Sequence, residues 1–314
     1  MEISVILCTY NRAESLRRTL EGFTRLNVPP GLRWELILVD NNSSDHTKAV
    51  CESFNRRLPI RYFFEPCPGQ SAARNRGIVE AAGALLLFTD DDVDVDPDWM
   101  KVYRDAAARH PAAAFFGGRI IPRWERTPPR WLEQNSRTFL ACIALNLDMG
   151  DAEFELADPT YPFAGANLVF RKETFEKAGV LFRKDLGLKG NEQVRFEDTF
   201  LIRQVMARGL PGVYIPTAIV YHRNPPERMT KRYLREWFKA AGVAAVRLGE
   251  LPPSDHVWFG VPRYLWAQFL RNALGFGVTR WTTSSRIWLR YQTRMISKWG
   301  SICEFRKTQG GANR

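Results

Sequence analysis

The chain has 314 residues, of which 45% are hydrophobic and 25% charged, with a formal net charge of +11 and a pI of about 9.6. This is the composition of a globular protein with room for one large domain, or one domain and an appendage. The five cysteines, Cys8, Cys51, Cys67, Cys142 and Cys303, form no CxxC pair, which argues against a disulfide framework or zinc site and for a reducing cytosol.

The elements follow in chain order. "ISVILC" (3–8) reads as a strand that begins too early for a signal peptide. Helical spacing of Leu16, Leu20, Phe23 and Leu26 predicts a helix over 14–26. "ELILVD" (35–40) is the next strand. "SDHTKAVCESF" (44–54) opens on a capping residue and reads as a helix. "IRYFF" (60–64) is a strand, "QSAARNRGIVEAA" (70–82) a helix and "ALLLFTD" (84–90) the fourth strand. Continuous apolar strands between helices indicate a parallel sheet covered on both faces. Ligands of such sheets bind beyond the carboxyl ends of the strands, which points to Thr9, Asp40 and Asp90–Asp92 around one crevice.

Residues 122–160 are irregular and rich in Pro, Trp and charge, and read as an insertion near an acceptor side. "ANLVFR" (166–171) is a strand, "KETFEKAG" (172–179) a short helix stopped by Gly179, and "EDTFLIRQVMARG" (197–209) an amphipathic helix stopped by Gly209. "GVYI" and "AIVYH" return to strand character. Beyond Pro226 the pattern is helical and basic: 228–248 and 285–302 are amphipathic, with Trp288, Tyr291, Met295, Trp299 and Ile302 at helical spacing. From Leu251 onward, ten Arg and Lys face only Asp255 and Glu304, so the tail carries most of the net charge. No apolar stretch reaches the ~18 residues of a membrane span.

Adjacent carboxylates at the end of an apolar strand, as in "LLLFTDDDVDVD" (85–96), repel one another unless a cation sits among them. Mg²⁺ and Mn²⁺ favour such hard oxygen ligands; the alternative is a solvated acidic turn.

Seven segments in order, "VILCTYNR", "LVDNNSSD", "PGQSAARNRGI", "FTDDD", "FAGANLVFRKETFEKAG", "FEDTFLIR" and "IVYHR", resemble the inverting family 2 glycosyltransferases of the GT-A fold. The resemblance covers roughly residues 1–225. It implies an α/β, GT-A-type, mostly parallel sheet flanked by helices over 1–225, followed by a helical, basic C-terminal segment over 226–314. It also implies the site. Thr9 and Asp40 would contact the donor nucleotide, Asp40 through the base, and Arg74 the nucleotide or its diphosphate; a turn cap is the alternative for Asp40 and a solvated charge for Arg74. Asp90 and Asp92 are the ends of the DxD motif, with Asp90 near the ribose, Asp92 on a Mn²⁺ or Mg²⁺ that bridges the diphosphate, and Asp91, the middle position, counted with the donor-binding residues in a structural part. His222 is a second metal ligand, or else a lone surface or core histidine. Asp198 would be the general base and Glu197 its neighbour near the acceptor, with a helix-start role as the alternative. Gly165 would let backbone approach the sugar or acceptor, and Asn167 is either a polar contact or a turn residue. Asp94, Asp96 and Asp98 are expected to face solvent or start a helix, and Arg76 to be a solvated helix charge.

The QxxRW motif of processive members is replaced by "QFLRN" (268–272), so single-sugar transfer is expected. The implied donor is a nucleotide sugar, UDP ahead of GDP or dTDP, because Asp40 and Arg74 match positions associated with uracil. The implied acceptor is a saccharide or lipid-linked sugar, and the implied location cytoplasmic. Segment 226–314 either rests peripherally on an anionic membrane surface or packs its aromatics on the catalytic domain. Three rivals remain. A sugar nucleotidyltransferase would need a Gly-rich phosphate loop, and "CTYNRAES" has none. A nucleic-acid-binding protein would need a recognised basic motif. A silent sugar-binding protein would not need the acidic positions present here.

Overall fold

The computed structural model describes residues 1–311 apart from 136–138, 140–141, 159–162 and 190–191. The chain divides into two compact units: Met1–Arg123 with Ala144–Lys184 and Glu197–Asn224, and Trp124–Ile143 with Asp185–Phe196 and Pro225–Arg314.

In the first unit the elements are β1 (Ile3–Thr9), α1 (Ala13–Phe23), β2 (Trp34–Asp40), α2 (Thr47–Ser53), β3 (Ile60–Phe64), α3 (Gln70–Glu80), β4 (Leu85–Asp90), β5 (Val93–Val95), α4 (Trp99–Arg109) and β6 (Phe115–Trp124). Strands β1, β2 and β4 are buried almost end to end, as strands covered on both faces must be. They pair in parallel in the order β3-β2-β1-β4. The first four strands and first three helices thus stand where the sequence places them, within a few residues.

The second unit's Arg130–Glu133 forms α5, and the first unit continues with β7 (Phe154–Glu155), β8 (Leu168–Arg171), α6 (Lys172–Ala178) and, after a gap belonging to the second unit, α7 (Glu197–Met206) and the 13-residue β11 (Gly212–Asn224). Strand β8 pairs antiparallel with β4 and with β6, extending the sheet in the order β4-β8-β6-β11-β5. The α/β sheet flanked by helices is therefore present, with parallel pairing among β1 to β4 and antiparallel pairing of β8 with β4 and β6 and of β11 with β5 and β7. Gly179 ends α6 at φ 60°, the left-handed cap that its position predicts. "GVYI" and "AIVYH", read as separate strands, are one strand through Pro216. Phe88 sits in an edge-on cluster with Phe170, Phe175 and Phe182, tying β4, β8 and α6 into one core.

The second unit also holds two short hairpins, β9–β10 (Leu188–Lys189, Glu192–Gln193) and β12–β13 (Val257–Trp258, Val261–Pro262). Its helices are α8 (Lys231–Arg247), α9 (Arg263–Thr282) and α10 (Ser285–Gly311). The Thr230 hydroxyl accepts the Tyr233 N–H and caps α8. Leu132, Phe139, Ile143, Met229, Leu234, Trp288 and Leu289 make this unit's own core. Part of the tail's aromatic complement is thus spent inside the unit, while Trp281 and Phe259 stay open to solvent. Of the stretch 122–160, residues 136–138, 140–141 and 159–160 lie outside the described residues.

Candidate active site

Strand register sets the site. Thr9, the last residue of β1, lies opposite Asp40 at the end of β2, and Cys8 lies opposite Asp90 at the end of β4. The chain turns through Asp91 and Asp92 into β5, where Val93 pairs with His222 of β11. Two remote strands therefore deliver the acidic turn and the imidazole to one place.

One ligand atom each from Asp90, Asp92 and His222 lies within 4.8 Å of the others, and His222 Nε2 is 3.3 Å from Asp92 Oδ1. Two carboxylates and one imidazole suit a divalent cation that accepts both oxygen and nitrogen, with coordination positions left for other oxygens. Asp90, expected beside the ribose, stands within this group. Burial pushes the Asp90 carboxyl upward, against the pull of Arg74.

The middle acid faces elsewhere. The Thr9 hydroxyl donates to Asp91 Oδ2 at 2.7 Å, and Arg12 donates to Asp91 Oδ1 at 2.6 Å and to Asp92 Oδ2 at 3.0 Å. Burial still lifts the Asp91 carboxyl to about 7, with Arg12 opposing and Asp92 adding to it. The Asp91 carbonyl accepts from Ser15, Thr19 and Arg223. Arg223, next to His222, also donates to the Val93 carbonyl, Thr19 and Asp94. The acidic turn is thus gripped from behind, and its carboxylates are held close without collapsing onto one another.

A second group adjoins the first. Arg74 of α3 is only 3% exposed. Its Nη1 donates to Asp198 Oδ1 at 2.6 Å and Glu197 Oε1 at 2.9 Å, while Nη2 donates to Asp90 Oδ1 at 3.3 Å. Burial works against the charge on Arg74, but Asp198, Asp90 and Glu197 outweigh it and keep it firmly protonated. Asp198, at the start of α7, also accepts the Gly165 N–H at 2.8 Å through Oδ2. Burial lifts Asp198 to about 6, with Arg74 opposing and Glu197 reinforcing the rise. A carboxylate poised there is ionised at neutral pH and more basic than an ordinary Asp.

Arg74, expected at the nucleotide or its diphosphate, is a buried hub among three acids. A Cβ on Gly165 would sit 2.1 Å from Arg74 Nη2, so this glycine makes room for the guanidinium. Asp40, at the end of β2, accepts from the Ser43 N–H and the Tyr62 hydroxyl, so it braces the turn that follows while lying at the strand end beside Thr9. Asn167 is fully buried, accepts from Trp99 and Tyr103 and donates to the Arg119 and Ala218 carbonyls; it is a structural pin. Asp94, expected to face solvent, pairs with Arg223 and Arg123, because β5 returns it toward β11. Arg76 pairs with Glu80 on its own helix, as a solvated charge does. Arg12, Arg223 and Gln70, whose amide approaches Asp90 at 3.4 Å, were not singled out in the sequence. All three fall inside quoted segments, Arg12 in "VILCTYNR", Gln70 in "PGQSAARNRGI" and Arg223 in "IVYHR".

Known proteins resemble this chain in sequence and in fold. The family model described as glycosyl transferase family 2 matches residues 4–179. The succinoglycan biosynthesis protein ExoM of Rhizobium meliloti is 27% identical over 248 residues, 74% of this chain and 71% of that protein. The glucosyl-dolichyl phosphate glucuronosyltransferase of Haloferax volcanii is 26% identical over 228 residues, 71% and 69% of the two chains. Among solved structures, the mannosyltransferase PcManGT of Pyrobaculum calidifontis, in complex with GDP-Man and Mn²⁺, superposes with a TM-score of 0.62 at 16% identity, covering 96% of this chain and 86% of the other. S. aureus TarS superposes with a TM-score of 0.56 at 14% identity, covering 99% and 92%. At those identities the likeness is one of fold, the GT-A type.

Proposed function

Because the chain belongs to glycosyl transferase family 2 and is an enzyme of glycosyl transfer, we propose that residues 1–225 carry out inverting, metal-dependent transfer of one sugar per encounter. The donor is a nucleotide-diphospho-sugar and the acceptor a hydroxyl of a saccharide or lipid-linked sugar. The observation that carries this reading is the Arg74 guanidinium, which joins an acid of the Asp90–Asp92–His222 group to the Glu197–Asp198 pair. A leaving-group site and a base thereby share one crevice.

Asp198 takes the proton of the acceptor hydroxyl. The freed oxygen forms its bond to the anomeric carbon as the bond from that carbon to the diphosphate oxygen breaks, so a single displacement inverts the centre. Arg74 and the Gly165 N–H fix both oxygens of Asp198, which sets the direction from which the proton is taken. Glu197, bonded to the same guanidinium, adds the charge that helps keep Asp198 basic. Asp92 and His222, with Asp90 in reach, would hold Mn²⁺ or Mg²⁺. When bound, such an ion neutralises negative charge on the departing diphosphate; the imidazole favours Mn²⁺.

UDP is the nucleotide we favour, with Asp40 and Thr9 side by side at the strand ends to meet it; TarS has been solved with UDP and with UDP-GlcNAc. GDP and dTDP are the competing nucleotides, and PcManGT holds GDP-Man. In this reading the protein works on the cytoplasmic side of the cell membrane, with 226–314 resting on an anionic surface and no specific nucleic acid as partner; the basic residues of that segment support it. The test is a panel of UDP-, GDP- and dTDP-sugars with Mn²⁺, read as released nucleoside diphosphate and thermal stabilisation. Metal-dependent release from one nucleotide class is expected; no release and no stabilisation by any member contradicts the reading.

A further inference from the structure

Helix α9 is built against the usual rule for surface helices. Its inner face is anchored by Leu265 and Asn272. Its outer face runs through Ala267, Leu270, Leu274, Gly277, Val278 and Trp281, all exposed, at helical spacing. Leu274 is 72% and Trp281 85% exposed. A helix at a protein–water boundary ordinarily turns polar residues outward, and a contiguous apolar patch on a surface marks a binding site.

The β12–β13 hairpin extends this face. Its tip is Phe259 at φ 52° followed by Gly260 at φ 72°, the two left-handed positions of a tight hairpin turn. A bulky aromatic resists that conformation, and Phe259 is 85% exposed, so packing does not account for its presence. Arg263, which opens the outer line of α9, stacks on Trp258 at 4.6 Å, and Trp266 Nε1 donates to the Trp258 carbonyl. The hairpin therefore abuts the N-terminal end of the stripe, while Trp281 closes the other end beneath Arg280.

The surroundings are cationic. Arg263, Arg271 and Arg280 are exposed along α9, and Arg286 and Arg290 follow on α10. Of the two acids beyond Leu251, Glu304 is buried and accepts from Arg247, leaving Asp255. Two such rims brought face to face would repel, which disfavours a second copy of the chain as the occupant. An anionic bilayer offers the complement: headgroup charge for the arginines and an acyl boundary for Trp, Phe and Leu. Among the described residues no helix is long and apolar enough to cross a membrane, so contact lies in the interface plane.

We propose that the outer face of α9, with the Trp258–Phe259 hairpin tip, is an interfacial docking surface that seats this protein on an anionic lipid bilayer. The proposal deepens the membrane contact suggested for 226–314 and rests on it, but is independent of the chemistry at Asp198.

The test uses the full chain and vesicles of phosphatidylcholine with about one-third phosphatidylglycerol, compared with phosphatidylcholine alone. The protein should co-sediment with the anionic vesicles and be released as NaCl rises from ~0.1 to ~0.5 M. Leu274→Glu combined with Trp281→Ser should weaken that binding about tenfold or more. Phe259→Ser, away from helix packing, should weaken it in the same direction. The rise in Tm produced by Mn²⁺ with at least one of UDP, GDP and dTDP should be the same in variants and parent, which reports an intact catalytic unit. If that rise is absent in all of them while vesicle binding follows the pattern above, the catalytic reading fails and the docking surface stands. Equal binding of parent and both variants, or no preference for anionic vesicles, overturns the docking surface. Self-association of the parent without vesicle binding, abolished by the same substitutions, assigns the face to a second copy and overturns it as well.

Discussion

The guanidinium of Arg74 donates to the Asp198 carboxylate at 2.6 Å, with both side chains largely withdrawn from water. Removing one member of such a pair strands the other. Arg74→Ala leaves Asp198, Glu197 and Asp90 without their common cation and should cost about 3–5 kcal/mol of stability, measured by urea unfolding. Arg74→Lys should recover part of that stability but little transfer activity, because an ammonium cannot reach three carboxylates with a planar fork.

The base assignment is tested by Asp198→Asn. The amide keeps the shape of the side chain and cannot take a proton. We expect nucleotide-sugar binding close to that of the parent and transfer lowered about 10²–10⁴-fold, read by donor titration beside a rate assay. Transfer at the parental rate would assign the proton to another group.

The pH profile follows from burial at Asp198. With the carboxyl lifted to about 6, the base is protonated and idle below that pH and ionised above it. Accordingly, kcat/KM should rise through about pH 6 and level off toward neutrality, since this ratio reports the free enzyme. In Asp198→Asn that limb should vanish from the residual activity.

Gly165 makes a separate steric prediction. A methyl there would lie 2.1 Å from Arg74 Nη2, so Gly165→Ala must displace the guanidinium, which is bonded to both acidic clusters. Loss of transfer together with a fall in Tm is expected. An unchanged Tm would show that Arg74 can relax elsewhere.

Much of this arrangement was legible in the chain because its signals are local. Apolar runs such as Leu85–Phe88, short and set between helical patterns, read as doubly covered strands, and acids at their ends then fall at the crevice. The His222 placement came from resemblance and is explained by register, since His222 pairs with Val93 just past Asp92. Partners distant in sequence were not legible: nothing near Arg74 says that it reaches Asp198, 124 positions away. Asn167 reads from sequence as either a polar contact or a turn residue, because its role as a pin exists only once α4 and β11 are packed around it. No element was assigned over 93–124, although Trp99, Met100, Tyr103, Ala106 and Ala107 of α4 carry a helical period. Helix α9 was missed for a physical reason: with apolar residues on its outer face as well, it lacks the one-sided period that marks a helix.

The central claim is that Asp90, Asp92 and His222 exist to hold a cation that carries the donor's diphosphate. Calorimetric titration of UDP and GDP, with Mn²⁺ and then with EDTA, tests it most directly. At least one nucleotide should bind the parent about tenfold or more tightly with Mn²⁺, and Asp92→Asn should remove that gain. Equal affinity with and without metal for both nucleotides, or an undiminished gain in Asp92→Asn, would contradict it.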